Sequence, residues 1–349
     1  MKVRFDQIAR ECRNTHNGSM MDIPIVGLEH IEPYDMLLKN SDINVETTFS
    51  KTFKKGQILF GRRRAYQHKA CVATFDGICS GDITVIEAIE GAIYPDLLPF
   101  IVQNDDFFEH AIKGSNGALS PRVKWEHMAN FEVNLPTIDE QKVLAEKLWA
   151  AYEVKQSYLK MIDATDEMVK AQFIEMFGNP QTNSQGRKSV RFDEVLTFQR
   201  GHDLPEKERK SEGVIPIYGS NGFVGYHTES KAKDGIVTGR SGSIGKVYSI
   251  KGDYWPLNTS LYSIDTHGNN LTYLKYMVEA FDVSRFSNGT GVPTLNRNDI
   301  HKEMIPLADI AEQRTFETIA YQADKSISEL RKSIDAIDKV IKSLINENL

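Results

Sequence analysis

The sequence predicts an α+β protein: two similar mixed α/β domains, each followed by a long helix, arranged as an internal pseudo-two-fold repeat. Two observations carry the prediction. Residues 115–141, SNGALSPRVKWEHMANFEVNLPTIDEQ, and residues 287–313, SNGTGVPTLNRNDIHKEMIPLADIAEQ, align without a gap. They share Ser-Asn-Gly, one Pro, one Leu, one Ile and the closing Glu-Gln. Each block then opens a helical stretch with one apolar stripe.

The first domain is placed at residues 1–136 and the second at 189–308, because a collinear series of matches joins them. Val3-Arg4-Phe5-Asp6 recurs as Val190-Arg191-Phe192-Asp193. Ile23-Pro24-Ile25 before Gly27 recurs as Ile215-Pro216-Ile217 before Gly219. Gly61-Arg62 behind Ile58-Leu59-Phe60 recurs as Gly239-Arg240 behind Ile236-Val237-Thr238. Helical patterns at 96–113 and 271–286 each end at Ser-Asn-Gly. Ile83-Thr84-Val85-Ile86 and Ile236-Val237 are β-branched runs bounded by glycine, which predicts strands. The intervening Gly/Ser/Asn segments are turn chemistry. Short strands with such connections suggest an irregular sheet that displays loops.

The first long helix is placed at 137–178. From Asp139 to Phe177 there is neither Pro nor Gly. Leu144, Leu148, Ala151, Tyr158, Ile162, Val169 and Met176 form its stripe, interrupted by Lys155, Thr165 and Gln172. Gly178-Asn179-Pro180 stops it, and residues 179–188 are a polar linker. The second long helix, 309–349, has the cleaner stripe: Phe316, Ala323, Ile327, Leu330, Ile334, Ile337, Ile341 and Leu344. Each would run about 55–60 Å. Two helices of similar length with one apolar face each most simply pack on each other.

At 349 residues the chain can hold two ordinary cores. Its net charge of −6 argues against nonspecific coating of nucleic acid, but not against local basic patches, because salt screens distant charges. Cys12, Cys71 and Cys79 are odd in number and lack CxxC spacing. That fits a reduced cytoplasm better than a disulfide framework or zinc site. Neither a signal peptide nor a membrane-spanning run is expected.

Motifs for chemistry fit poorly. In Gly239-Arg240-Ser241-Gly242-Ser243-Ile244-Gly245-Lys246, the first glycine of a P-loop would fall on Arg240. Val247 stands where a hydroxyl should follow the lysine. Asn179-Pro180-Gln181-Thr182 lacks the second proline and aromatic of an adenine methyltransferase loop. Pro95-Asp96 and Glu140-Gln141-Lys142 match a nuclease only loosely, and the second triplet sits on the long helix. No cofactor or metal site is expected in this chain.

The remaining distinctive residues suit DNA. Arg62, Arg63, Arg64, Tyr66, His68 and Lys69 form a basic cluster after a predicted strand, and Arg122 and Lys124 follow the first Ser-Asn-Gly. In the second repeat the corresponding polar set is Asn296-Arg297-Asn298, joined by Tyr218, Asn221, Arg240, Ser241, Ser243 and Lys246. Arg reads guanine bidentately, Asn reads adenine, and both contact phosphate. Singly, each is as readily a solvated charge. As a set in the loops of both repeats they favour nucleic acid.

The sequence resembles the specificity subunit of type I restriction–modification enzymes. The resemblance rests on the two repeats and two long helices, and on Leu135-Pro136 with Glu140-Gln141 and Ile305-Pro306-Leu307 with Glu312-Gln313. Gln172-Phe173-Ile174-Glu175-Met176-Phe177-Gly178-Asn179-Pro180, residues 239–245 and Asn258-Thr259-Ser260 add to it. It covers essentially the whole chain, although Gly61-Arg62-Arg63-Arg64 replaces the glycine-serine motif in the first repeat. The resemblance implies two target recognition domains held apart by an antiparallel helix pair, each reading half of a bipartite, asymmetric DNA site. It also implies that methylation and cleavage belong to partners. These would be methyltransferase subunits, two of them, using S-adenosylmethionine, and restriction/translocase subunits using ATP and magnesium. The alternatives are a coiled-coil assembly protein without DNA affinity, and the DNA-reading subunit of a related single-complex methyltransferase/nuclease.

Overall fold

The computed structural model describes the chain except residue 118, residues 210–211 and residues 289–292. It divides into two compact units, Met1–Ser157 with Ser333–Leu349, and Tyr158–Lys332. Part of the second Ser-Asn-Gly block, residues 289–292, therefore lies outside the described residues.

Each unit opens the same way, and the repeated Val-Arg-Phe-Asp explains it. In the first unit Lys2–Arg4 pairs antiparallel with Glu132–Asn134, Val3 facing Val133. In the second, Ser189–Arg191 pairs with Met304–Pro306, Val190 facing Ile305. A single 3-10 turn follows each strand. Strand alternation turns Val toward the core and Arg toward solvent, and the 3-10 turn that follows buries its first residue, the Phe. Phe5 and Phe192 are both fully buried. Arg4 meets Asp6 at 2.6 Å, and Arg191 meets Asp193 at 2.8 Å.

The central sheets share their strand order. In the first unit it is Ala9–Cys12, Ile83–Ala88, Ile58–Gly61 and Ala70–Val72, all antiparallel. In the second it is Thr197–Arg200, Ser260–Asp265, Ala232–Gly239 and Val247–Pro256, again antiparallel. The second sheet continues to six strands, because the end of Val247–Pro256 pairs in parallel with Ile215–Gly219, which turns back into Gly222–His227. In the first unit that long strand is divided into Ala70–Val72 and Gly77–Cys79. The sheet consequently splits, and a separate three-stranded sheet forms from Ile25–Val26, Gly77–Cys79 and Lys51–Phe53.

The helical pattern expected at 96–113 is broken. The 3-10 turn Pro95–Leu97 runs directly into the helix Leu98–Val102, but Asp105–Lys113 is separate, because Asn104 turns out of the helix and its side chain caps Asp106 N. The pattern expected at 271–286 stops at Phe281. Asp282 adopts φ 53°, and its carboxylate accepts from Ser284 N at 3.2 Å, starting a 3-10 turn.

The long helices are continuous: Ile138–Phe177, 40 residues, and Ile310–Asn348, 39 residues. In the first unit Leu144, Ala145, Leu148 and Tyr152, from the start of the first helix, share a core with Ile345 near the end of the second. Lys155, which interrupts the predicted stripe, reaches Asp338 at 2.7 Å and turns a polar interruption into an ion pair. In the second unit Val169, Phe173 and Phe177, at the end of the first helix, share a core with Phe316, Ala320 and Ala323 at the start of the second. Start meets end in both units, which is the antiparallel pairing. The first helix buries Tyr152, Phe173 and Phe177, which stand off the predicted heptad positions; Met176 is only partly buried.

The repeated Glu-Gln opens each helix. Glu140 Oε2 accepts from Thr137 N at 2.9 Å and Thr137 Oγ1 at 2.8 Å; Glu312 accepts from Asp309 N at 3.3 Å. These are capping interactions that satisfy first-turn N–H groups. The glutamines are buried. Gln141 Oε1 accepts from Tyr94 N at 2.8 Å and its amide donates to Pro136 O at 3.0 Å. Gln313 Oε1 accepts from Asn270 N at 2.8 Å and its amide donates to Ala308 O at 2.9 Å. One side chain thus ties each long helix to the domain it leaves. Leucine at Gln313 keeps the volume but strands a buried donor and acceptor. The expected cost is about 1–3 kcal/mol per unpaired group. Chemical denaturation checks it; an unchanged midpoint would mean that the clamp adds nothing.

Candidate nucleic-acid interface

In each unit a strand ends in Gly-Arg, and the arginine's backbone is held identically. Arg62 N donates to Asp82 O at 2.9 Å, and Arg62 O accepts from Val123 N at 3.0 Å. Arg240 N donates to Thr259 O at 2.8 Å, and Arg240 O accepts from Leu295 N at 2.8 Å. Val123 and Leu295 occupy matching positions of the gapless blocks, so the repeated block and the repeated strand end are stitched together in both units. The next residues bridge likewise, Arg63 to Arg122 and Ser241 to Thr294. The structural counterpart of Arg122 is therefore Thr294, not a member of Asn296-Arg297-Asn298. Lys124 corresponds to Asn296.

In the first unit the arginines converge. Arg64 takes φ 55° and its N–H donates to Pro121 O at 2.8 Å, which turns the chain sharply after the strand. Arg122 donates to both Asp82 oxygens, from Nε at 2.6 Å and from Nη2 at 3.1 Å. Arg63 lies 3.6 Å from the same carboxylate and donates to Ser120 Oγ at 3.2 Å. The Arg122 hydrogen bonds, with the charges of Arg122, Arg63 and Arg62, hold the Asp82 carboxyl below its ordinary range despite partial burial. A depressed carboxyl pKa means the pairing is intact at neutral pH and is lost only on acidification through that lowered value.

Arg62 Nε and Arg64 Nε are buried without a hydrogen-bond partner. Buried guanidinium N–H groups left unpaired are costly, and a bound ligand is one way of completing them. Tyr66 is exposed, in the 3-10 turn Ala65–Gln67 that follows Arg64. Lys69 is otherwise engaged: its Nζ donates to Leu28 O at 2.6 Å. Lys124 is exposed at the start of the short helix Trp125–Met128.

In the second unit the hairpin Ile215–Gly219 to Gly222–His227 turns at Ser220-Asn221, with Gly222 at φ 96°. Asn221 is exposed and Tyr218 half-buried, its ring 6.3 Å from that of the exposed Phe223. The tip lies beside the Gly-Arg turn: a side-chain carbon at Gly242 would meet Ser220 Oγ at 3.7 Å. Arg240, Ser241 and Ser243 are half-buried in that turn, and Arg240 Nε donates to Asn258 O at 3.1 Å. Among the described residues the terminal guanidinium nitrogens have no partner. Asn296 accepts from Asn298 N at 3.0 Å and so caps the helix Arg297–His301. Lys246, at the far end of the loop, lines a cavity of about 540 Å³ with Asp166, Lys170, Tyr276 and Glu279.

Sequence reasoning missed Asp82, Ser120 and Phe223. Asp82 carries no repeat signal, because Thr259 stands in its place, and only the folded turn brings it to Arg122. Phe223 was legible as an aromatic next to a Gly-bounded turn, but its exposure is a property of the edge strand.

Residues 185–338 match the type I restriction modification DNA specificity domain. The specificity subunit of the type I restriction enzyme EcoDI from Escherichia coli is 23% identical over 167 residues, 46% of this chain and 36% of that protein. The match thus spans little more than a third of that relative's length. A chain from the type I R-M system superposes with a TM-score of 0.58 at 15% identity, covering 100% of this chain and 97% of that one. The type I S subunit from M. genitalium superposes with a TM-score of 0.56 at 15% identity, covering 99% and 94%. These two likenesses speak for the fold. Among the described residues, no helix is long and apolar enough to cross a membrane. Residues 185–338 thus carry the sequence pattern of the type I restriction modification DNA specificity domain.

Proposed function

We propose that the chain is the sequence-reading subunit of a type I restriction–modification complex. Each unit reads one half of a bipartite, asymmetric DNA site. Methylation and cleavage are carried by partners: methyltransferase subunits, two of them, that use S-adenosylmethionine, and restriction/translocase subunits that use ATP and magnesium. The observation that carries this reading is the Gly-Arg turn built twice, with the same two backbone hydrogen bonds, each beside exposed polar and aromatic side chains. A single binding surface would not require both. Arginine forks fixed on rigid strand ends suit bidentate readout of guanine.

The purified chain, incubated with DNA, S-adenosylmethionine, ATP and magnesium, is expected to leave the DNA unchanged. With its methyltransferase subunits it should shift a duplex in a gel and methylate it at a two-part sequence. Methylation-sensitive sequencing of the host genome would identify that sequence. Stoichiometric methylation by the chain alone would overturn the reading, as would an assembled complex that binds every duplex equally.

A further inference from the structure

We infer that Asp82 is a positioning and specificity-determining residue of the first unit: its carboxylate turns Arg122 and Arg63 from phosphate binders into base readers. The inference rests on the DNA-reading function proposed above. A carboxylate on a surface that meets a polyanion lowers affinity, since it repels phosphate and cancels nearby positive charge. Asp82 nevertheless sits among Arg62, Arg63 and Arg122, and is fixed from several sides. Its N–H donates to Ser80 Oγ at 3.2 Å, its carbonyl accepts from Arg62 N at 2.9 Å, and its carboxylate accepts two hydrogen bonds from Arg122. Its side chain is 20% exposed and that of Arg122 is 45% exposed, so the pair faces solvent rather than the core.

The chemistry of such a pair is selective. The bidentate grip fixes the plane of the Arg122 guanidinium and occupies Nε and one hydrogen of Nη2, leaving the Nη1 side for another acceptor. A phosphate approaching that side meets a pair with little net charge and a carboxylate behind it. Base-edge acceptors such as guanine O6 and N7 are neutral and suffer no such repulsion. The pair therefore gives up nonspecific attraction and keeps directional readout. The second unit is built differently. Thr259 stands at the position of Asp82, and among the described residues Arg240 Nε is steadied by a backbone carbonyl, Asn258 O, rather than by a carboxylate. Its half of the site should depend more steeply on salt.

The sign of one substitution separates this role from a merely structural one. Asp82→Asn keeps the side-chain volume but removes the charge. In the full chain assembled with its methyltransferase subunits, we expect binding to a mixed-sequence duplex to tighten several-fold at low salt. The log–log salt slope should steepen by about one. In selection from a randomised duplex library, base preference at the first half-site should fall roughly tenfold, the discrimination that one bidentate arginine–guanine pairing supplies. Preference at the second half-site should not change, which also shows that the variant is folded. Asp82→Glu should recover part of the first half-site preference. Weaker binding to every duplex, or an unchanged salt slope with both preferences intact, would overturn the inference. If the unsubstituted complex enriches no sequence, the DNA-reading function itself fails, and this inference with it.

Discussion

Alanine at Phe173 is expected to destabilise the second unit by about 3–5 kcal/mol, the range for deleting a buried aromatic ring. Phe173 is 2% exposed. It sits where the first long helix, the second long helix and the helix Leu271–Phe281 meet. Its ring centroid lies 5.0 Å from Phe177, 5.4 Å from Phe316, 5.6 Å from Tyr273 and 6.3 Å from Tyr276. Removing it opens a cavity that four other rings cannot collapse into without leaving their own contacts. Since total stability is itself only about 5–15 kcal/mol, one substitution should abolish much of the folded population at moderate denaturant. Phe173→Leu, which keeps most of the volume, should cost markedly less. Urea denaturation of both variants checks this; equal midpoints for Phe173→Ala and the unsubstituted chain would mean the ring cluster does not hold the domain to its helices.

Alanine at Arg62 and alanine at Arg240 should each weaken a different half of the DNA site, by about 1–3 kcal/mol. At 1.4 kcal/mol per factor of ten, that is roughly five- to 150-fold in affinity. The two residues occupy the same position in the two repeats and have the same backbone partners. Their side chains differ in support: Arg62 Nε is buried and unpaired, whereas Arg240 Nε is steadied by Asn258 O at 3.1 Å. The Arg62 substitution should thus relax base preference only in the half read by the first unit, and the Arg240 substitution only in the other. Lys124, if it touches phosphate alone, should weaken all duplexes alike when replaced and flatten the salt slope by about one. Competition binding with duplexes scrambled in one half at a time separates these outcomes. If both arginine variants bind both halves as tightly as before, the DNA face has been placed on the wrong loops.

The sequence by itself determined the repeat, the two long helices and the strand ends. Val3-Arg4-Phe5-Asp6 and Val190-Arg191-Phe192-Asp193 each write the end of a strand and the start of a 3-10 turn, so their meaning is local. The stripe from Phe316 to Leu344 is likewise a helix period, and the gapless block keeps its register because Val123 and Leu295 close on the two Gly-Arg turns. What the tertiary structure decided is whatever depends on partners distant in sequence. Gln141 and Gln313 are polar letters at the entry to helices, and only the fold shows them buried, each bonded to the backbone of a segment more than forty residues upstream. Lys69 and Arg122 read as free cations, but Leu28 O and the Asp82 carboxylate claim them. A charge in a sequence has no partner until the chain folds. Whether it serves phosphate, a base or its own backbone is settled by the few ångströms that folding closes.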